Sequence, residues 1–171
     1  TQPWMLRMKR VPKRNLLLLQ FERRTIKLKI SDIKVYKVKP RWIFVKVLTD
    51  EGIAGWGEMI SGTKTETVVA GANEMGKKLI GRNPFEIERL WQEMHRSFFR
   101  GGPINGTIIS GLEMALWDIK GKALNLPVYE LLGGAARDRI RVYSWIGGDR
   151  PSDVAEQAQE RVDKGFTAIK M

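Results

Sequence analysis

The stretch that decides the fold is SGLEMALWDIKGKALNLPVYELLG, residues 110–133. With the residues just before it, it reads as a helix over 106–123. Ile108, Leu112, Ala115, Leu116 and Ile119 recur at the three- and four-residue spacing that lines one helix face. A short helix follows over 127–132 and ends at Gly133-Gly134. An apolar stripe of this kind has to be covered by something, and the flanking sequence shows by what.

Upstream lie two more helices and, before them, three strands. The spacing predicts a helix opened by a capping box at Thr63-Lys64-Thr65-Glu66, with Val68, Val69, Ala72, Met75 and Leu79 on its apolar face and Gly81 as its stop. The next helix is expected to start at Asn83-Pro84, with Asn83 as N-cap. Its stripe is Ile87, Leu90, Trp91, Met94 and Phe98, and residues 100–103 are a loop. Before the helices, residues 28–38, 41–48 and 53–59 are rich in β-branched and aromatic side chains. Lys39-Pro40 and the Gly52 turn separate them, so the three strands form an antiparallel meander. Gly55 and Gly57 in the third strand allow another element to approach closely.

Downstream the period changes. Residues 139–146 read as a strand and 147–150 as a loop. Residues 151–164 read as a helix with Val154, Ala155, Ala158 and Val162 inward, stopped by Gly165, and 166–171 as another strand. A crossover of this length makes a parallel strand-helix-strand unit. The fold class is therefore an α+β domain over 28–136, a three-stranded antiparallel meander plus a helical bundle, followed at 137–171 by the start of a repeating β/α domain. Two parallel strands and one helix cannot bury themselves.

Charge separates a third region. The net charge is +11, yet residues 1–29 carry nine Lys/Arg against one acid, while 30–171 carry 21 against 18. The basicity thus belongs to an arm, residues 1–27, which shows no clear period of 2 or 3.6 and is expected to be disordered. The near balance of the remainder argues against nucleic acid as a partner. No apolar run is long enough to cross a bilayer, so no membrane partner is expected. Zero cysteines exclude disulfides and thiolate metal sites. A cytoplasmic location fits this composition.

Residues 110–133 resemble the signature of the mandelate racemase and muconate lactonizing group of the enolase superfamily, at Gly111, Leu112, Glu113, Ala115, Leu116, Asp118, Gly121, Lys122, Pro127, Leu131 and Gly133. Ile108 departs from it, standing where that pattern usually has Ala. Around this core, PRW at 40–42, RGGPI at 100–104 and YSWIGGDRP at 143–151 resemble the sugar-acid dehydratases of the group, the D-galactonate dehydratases most of all. The resemblance covers residues 28–171. It implies an α+β capping domain over the mouth of a modified TIM barrel. It also implies an enzyme, a hydro-lyase that removes a proton next to a carboxylate and then water, through an enediolate, to give a 2-keto-3-deoxy acid. Mg²⁺ held by three carboxylates on the third, fourth and fifth barrel strands would stabilise that enediolate. Those ligands would lie beyond Met171. The implied partner is a small aldonate, and the implied intact enzyme a homo-oligomer.

On this reading the chain is the front part of such an enzyme, truncated and inactive alone. Its site residues are then few. Lys39, Arg41 and Trp42 in the first meander loop, and Lys64 in the connection after the third strand, would contact the substrate. Cations there suit an anionic sugar acid. Lys170 matches the first lysine of the family's Lys-x-Lys barrel strand, which makes it a weak catalytic candidate; no residue is expected to bind metal.

Other polar residues read as structural. Glu113 and Asp118 are five apart and do not share a helix face well, so Asp118 is expected to be tied to nearby backbone or Lys/Arg. His95, the only histidine, is expected to serve surface or packing, and the Gly101-Gly102 and Gly147-Gly148 pairs to serve loop geometry. Two alternatives of another class stand beside the enzyme: an interaction module on the capping fold with the basic arm for an acidic partner, and a gene remnant without function.

Overall fold

The structure is a computed structural model that describes residues 28–60, 62–97 and 101–171. The expected arm, residues 1–27, lies outside the described residues, as does Phe98. Two compact units are distinguished, the first ending at Val128 and the second comprising Tyr129–Met171.

In the first unit, β1 (Ile30–Val38), β2 (Trp42–Thr49) and β3 (Ala54–Glu58) form one antiparallel sheet in the order β1-β2-β3. Phe44 stands opposite Tyr36 on one side and Glu58 on the other, which sets the register. β2 alternates strictly, with Ile43, Val45, Val47 and Thr49 buried. Helices α1 (Thr65–Lys77) and α3 (Pro103–Leu124) cover that face, and α2 (Ile87–Arg96) packs against α3. Ile108, Leu112, Ala115, Leu116 and Ile119 of α3 are all fully buried, as the stripe predicts. They meet Val68, Ala72 and Met75 of α1 and Leu90 and Met94 of α2 in one core.

Contact between α3 and β3 is backbone to backbone. A methyl group at Gly55 would overlap the carbonyl oxygen of Ala115, and one at Gly57 that of Gly111. The expected close approach is thus made by α3 itself. Asp118 and Lys122, one turn apart on α3, then serve the open edge of β3. The Trp56 N–H donates to Asp118 Oδ2 at 2.9 Å, and Lys122 Nζ donates to the Ala54 carbonyl at 2.8 Å and to Asp118 Oδ2 at 2.6 Å. An edge strand whose peptide groups are occupied by helix side chains offers less to pair with. This is the backbone-and-lysine role expected of Asp118.

Several local expectations need correction. The capping box does not form: α1 starts at Thr65 after Lys64, without a side-chain cap. With Lys64 rather than Thr63 at the N-cap, Glu66 falls at the second helical position, one short of the place a capping box requires, and it pairs with Lys37 of β1, 2.9 Å away. Asn83-Pro84 does not begin α2. The Asn83 side chain accepts from the Phe85 N–H at 2.9 Å, an Asx turn that brings the chain to the helix start at Ile87. α3 begins at Pro103 rather than 106, since a proline loses nothing at the first helical position and Gly102 supplies the entry at φ 127°.

The turn after α1 is fastened on both sides. The Gly81 N–H donates to the Ile30 carbonyl at 2.8 Å, and the Ile30 N–H to the Arg82 carbonyl at 2.9 Å. The Arg82 guanidinium makes a two-point pair with Glu93 of α2, at 2.6 and 2.9 Å, and Arg89 adds a third contact at 3.1 Å. The hydrogen bonds from Arg82, more than those from Arg89, hold the Glu93 carboxyl down at about 2.

The second unit contains α4 from Tyr129 on (α4 spans Val128–Leu131), then β4 (Ser144–Trp145), α5 (Pro151–Asp163) and β5 (Ile169–Lys170). β4 and β5 are parallel, with Ser144 opposite Ile169 and Trp145 opposite Lys170. The order is the expected strand-helix-strand. The strands are far shorter than the predicted 139–146 and 166–171, and among the described residues each pairs only with the other. Ile146 is the one large side chain fully buried here among the described residues.

Candidate functional site

An antiparallel meander returns its chain to the same end at every second strand. The β1–β2 turn (39–41) and the exit of β3 therefore sit together, with the Met59 N–H donating to the Ile43 carbonyl at 2.7 Å. α1 starts at this end, as the Lys37–Glu66 pair shows. So does α3, because the Thr107 hydroxyl donates to the Ile60 carbonyl at 2.7 Å. One end of the first unit thus gathers two loops, two helix N-termini and the cations Lys39, Arg41 and Lys64. Both helix dipoles add positive potential there.

The predicted substrate-binding residues Lys39, Arg41, Trp42 and Lys64 all fall at this end. Lys39, Arg41 and Lys64 are exposed, and among the described residues none of the three meets an acidic partner. Trp42 is the first residue of β2 and is half-buried. Arg41 lies over its ring, 5.4 Å from the centroid, and Trp42 stacks on Phe44 at 6.5 Å. The guanidinium is thus held by a ring rather than consumed by a carboxylate, and its donors stay available to an anion.

Lys170 belongs to the second unit, in β5, with its ammonium 5.7 Å from the Tyr143 ring centroid. Another residue of that unit escaped sequence reasoning. Gln157 of α5 engages both backbone groups of one residue: its Nε2 donates to the Gly147 carbonyl, and the Gly147 N–H donates to its Oε1 at 3.3 Å. It pins the loop that follows β4. No local pattern marks a glutamine for this task, nor Lys37, Glu66 or Thr107 for theirs, since each partner is distant in sequence.

His95 is exposed and stacked on Trp91 at 4.9 Å, one turn earlier on α2, consistent with a packing role. Among the described residues no three His, Cys, Asp or Glu side chains gather to hold a metal ion. These residues therefore do not fit a divalent cation, and no chemical step of one is assigned to them. Among the described residues, too, no helix is long and apolar enough to cross a membrane.

Residues 20–133 match the family model of the mandelate racemase / muconate lactonizing enzyme, N-terminal domain. The chain belongs to this family. D-galactonate dehydratases from Variovorax paradoxus (strain S110) and Verminephrobacter eiseniae (strain EF01-2) are 52% and 50% identical to it over 145 residues, 84% of this chain and 38% of each relative. The crystal structure of an enolase from Pantoea ananatis with bound D-gluconate and Mg superposes with a TM-score of 0.78 at 36% identity, over 83% of this chain and 36% of that one. The chain thus spans about two fifths of the length of the curated relatives it matches. In this mandelate racemase / muconate lactonizing family member, the sheet with its three covering helices is the enolase-superfamily capping domain. The family match begins at residue 20, inside the stretch whose charge reads as an arm.

Proposed function

We propose that this chain forms the N-terminal part of an aldonate dehydratase of the galactonate type, and that the loop end of its capping domain receives the anionic sugar acid. The observation that carries the reading is the identity of about half the residues, over 145 positions, with proteins named D-galactonate dehydratase. The geometry supports it: Lys39, Arg41 and Lys64 stand at one end, without acidic partners among the described residues, beside the half-buried Trp42. Lysine and arginine would bind the carboxylate, and the ring would pack against the sugar-acid chain.

The reaction proposed is loss of water. A proton leaves the carbon next to the carboxylate, a hydroxyl leaves the neighbouring carbon, and the resulting enol becomes a 2-keto-3-deoxy acid. The ligands of the Mg²⁺ expected for this chemistry, and the bases apart from the candidate Lys170, would lie outside the described residues, so the capping domain would contribute binding and enclosure rather than bond-breaking. Tyr129–Met171, with its parallel strand-helix-strand, would open the barrel carrying that machinery. Assembly into a homo-oligomer belongs to the same proposal.

The test is turnover. A protein that carries these residues at the relatives' full length is incubated with Mg²⁺ and a panel of aldonates, and 2-keto-3-deoxy acid is measured. D-Galactonate or a close stereoisomer is expected to be consumed, and the 171-residue chain alone to consume none. Failure of the full-length protein on every aldonate overturns the proposal.

A further inference from the structure

Two contacts at the loop end stand outside the core and outside the proposed ligand set. Lys37 is the last residue of β1 but one. By strand alternation it shares the helix-covered face with Ile33 and Val35, beyond the rim of the core. From there its ammonium reaches Glu66 in the first turn of α1 at 2.9 Å, across 29 residues of sequence. Thr107, in the second turn of α3, donates its hydroxyl to the Ile60 carbonyl at 2.7 Å, across 47 residues. Lys37 stands two residues before Lys39, and Glu66 two residues after Lys64. Ile60 is the point where the chain leaves the sheet for Lys64.

Each contact thus grips one of the two loop regions within a few residues of a candidate cation. None of Lys37, Glu66, Thr107 and Ile60 belongs to the buried apolar core. The peptide carbonyl at Ile60 follows the end of β3, and α3 is the element available to hold it.

We propose that Lys37–Glu66 and Thr107–Ile60 are positioning contacts that hold the β1–β2 turn and the exit of β3 as one unit, so that Lys39, Arg41 and Lys64 meet a single anionic acid together. This rests on the binding role proposed above for those cations. Three long cationic side chains on independently moving loops would lose their advantage to ordering entropy on binding; fixing the backbones that carry them reduces that loss. Lys37, Glu66 and Thr107 need not touch the substrate.

Two arms test this separately. In the 171-residue chain, backbone ¹⁵N order parameters at Gly62 and Lys64 are expected near 0.85. In Thr107→Val they should fall below about 0.6, with melting temperature and far-ultraviolet circular dichroism little changed, and Thr107→Ser should restore them. Unchanged order parameters in a folded Thr107→Val protein overturn the inference, as do wild-type values already below 0.6. In the full-length protein, Lys37→Met and Glu66→Gln should each raise KM for the aldonate about 2- to 5-fold at near-constant kcat. The double variant should be no worse than either single one, and Lys37→Glu/Glu66→Lys should recover the loss. Independent, multiplying effects overturn the coupling. If the wild-type full-length protein turns over no aldonate, the reading above fails, and the order parameters still decide the positioning.

Discussion

The two units differ in what their sequence must bury and what their structure manages to bury. The first has a sheet with one face covered by a bundle of three helices, α1 and α3 against the strands and α2 against α3, and a core in which Ile43, Val45, Leu90, Leu112, Leu116 and Ile119 are completely enclosed. The second has similar raw material, yet Ile140, Val142, Trp145 and Val162 are more than half exposed, and Ile146 alone among its large side chains is closed off. A groove of about 580 Å³, lined by Ile146, Val154, Ala155, Ala158, Ile169 and Met171, runs beside α5. The lesson concerns architecture rather than hydrophobicity. A meander closes on itself with three strands and a helical cover, whereas a parallel β/α repeat gains a core only when further repeats close it.

The first unit is expected to be sensitive to damage and the second to tolerate it. The largest effect is expected from Leu112→Ala. Its side chain is fully enclosed between sheet and helices, so truncation should cost about 2–5 kcal/mol in urea unfolding. Gly57→Ala comes next, since its new methyl would meet the Gly111 carbonyl and force α3 off the sheet. A loss of about 1–3 kcal/mol is expected by the same measurement.

A smaller and conditional effect belongs to Glu93. Its folded carboxyl sits at about 2, below its ordinary 4.5, so the stabilisation it brings is complete above 4.5 and fades as pH falls toward 2. Glu93→Gln should therefore lower the melting temperature by a constant amount at neutral pH, with the gap to wild type closing between about pH 4.5 and 2. A gap that stays open at pH 2 would mean the carboxylate matters for another reason. The smallest effect is expected in the second unit. Val162→Ser replaces a side chain 53% exposed, and unfolding should shift by less than about 0.5 kcal/mol. A loss like that of Leu112→Ala would show that the second unit has a core of its own, and the contrast drawn above would fail.

Where the reading of residues succeeded, the information was periodic or chemical. The stripe from Ile108 to Ile119, the alternation of β2 and the paired glycines of β3 each express one physical demand at a fixed spacing. The loop cations were legible as residue types, and the meander topology sufficed to place them at one end. Pro103 at the first position of α3 could have been read, because proline is favoured there. The capping box at 63–66 misled because the helix starts one residue later, with Lys64 at the N-cap, so Glu66 is out of register for it. Asn83 misled because the same short polar side chain serves an Asx turn as readily as a helix cap.

Family membership, the covered faces of α1, α2 and α3 and the order of the strands were determined by the sequence alone, because each depends on patterns repeated over many residues, where single competing contacts average out; on the face of α5 expected inward, Ala155 and Val162 are instead exposed. The Lys37–Glu66 pair, the Thr107–Ile60 and Gln157–Gly147 hydrogen bonds, the seal of Asp118 and Lys122 on β3, and the shortness of β4 and β5 were decided only in three dimensions. Each of these depends on one distance between residues remote in the chain, or on whether a neighbouring strand is present, and no local pattern encodes either.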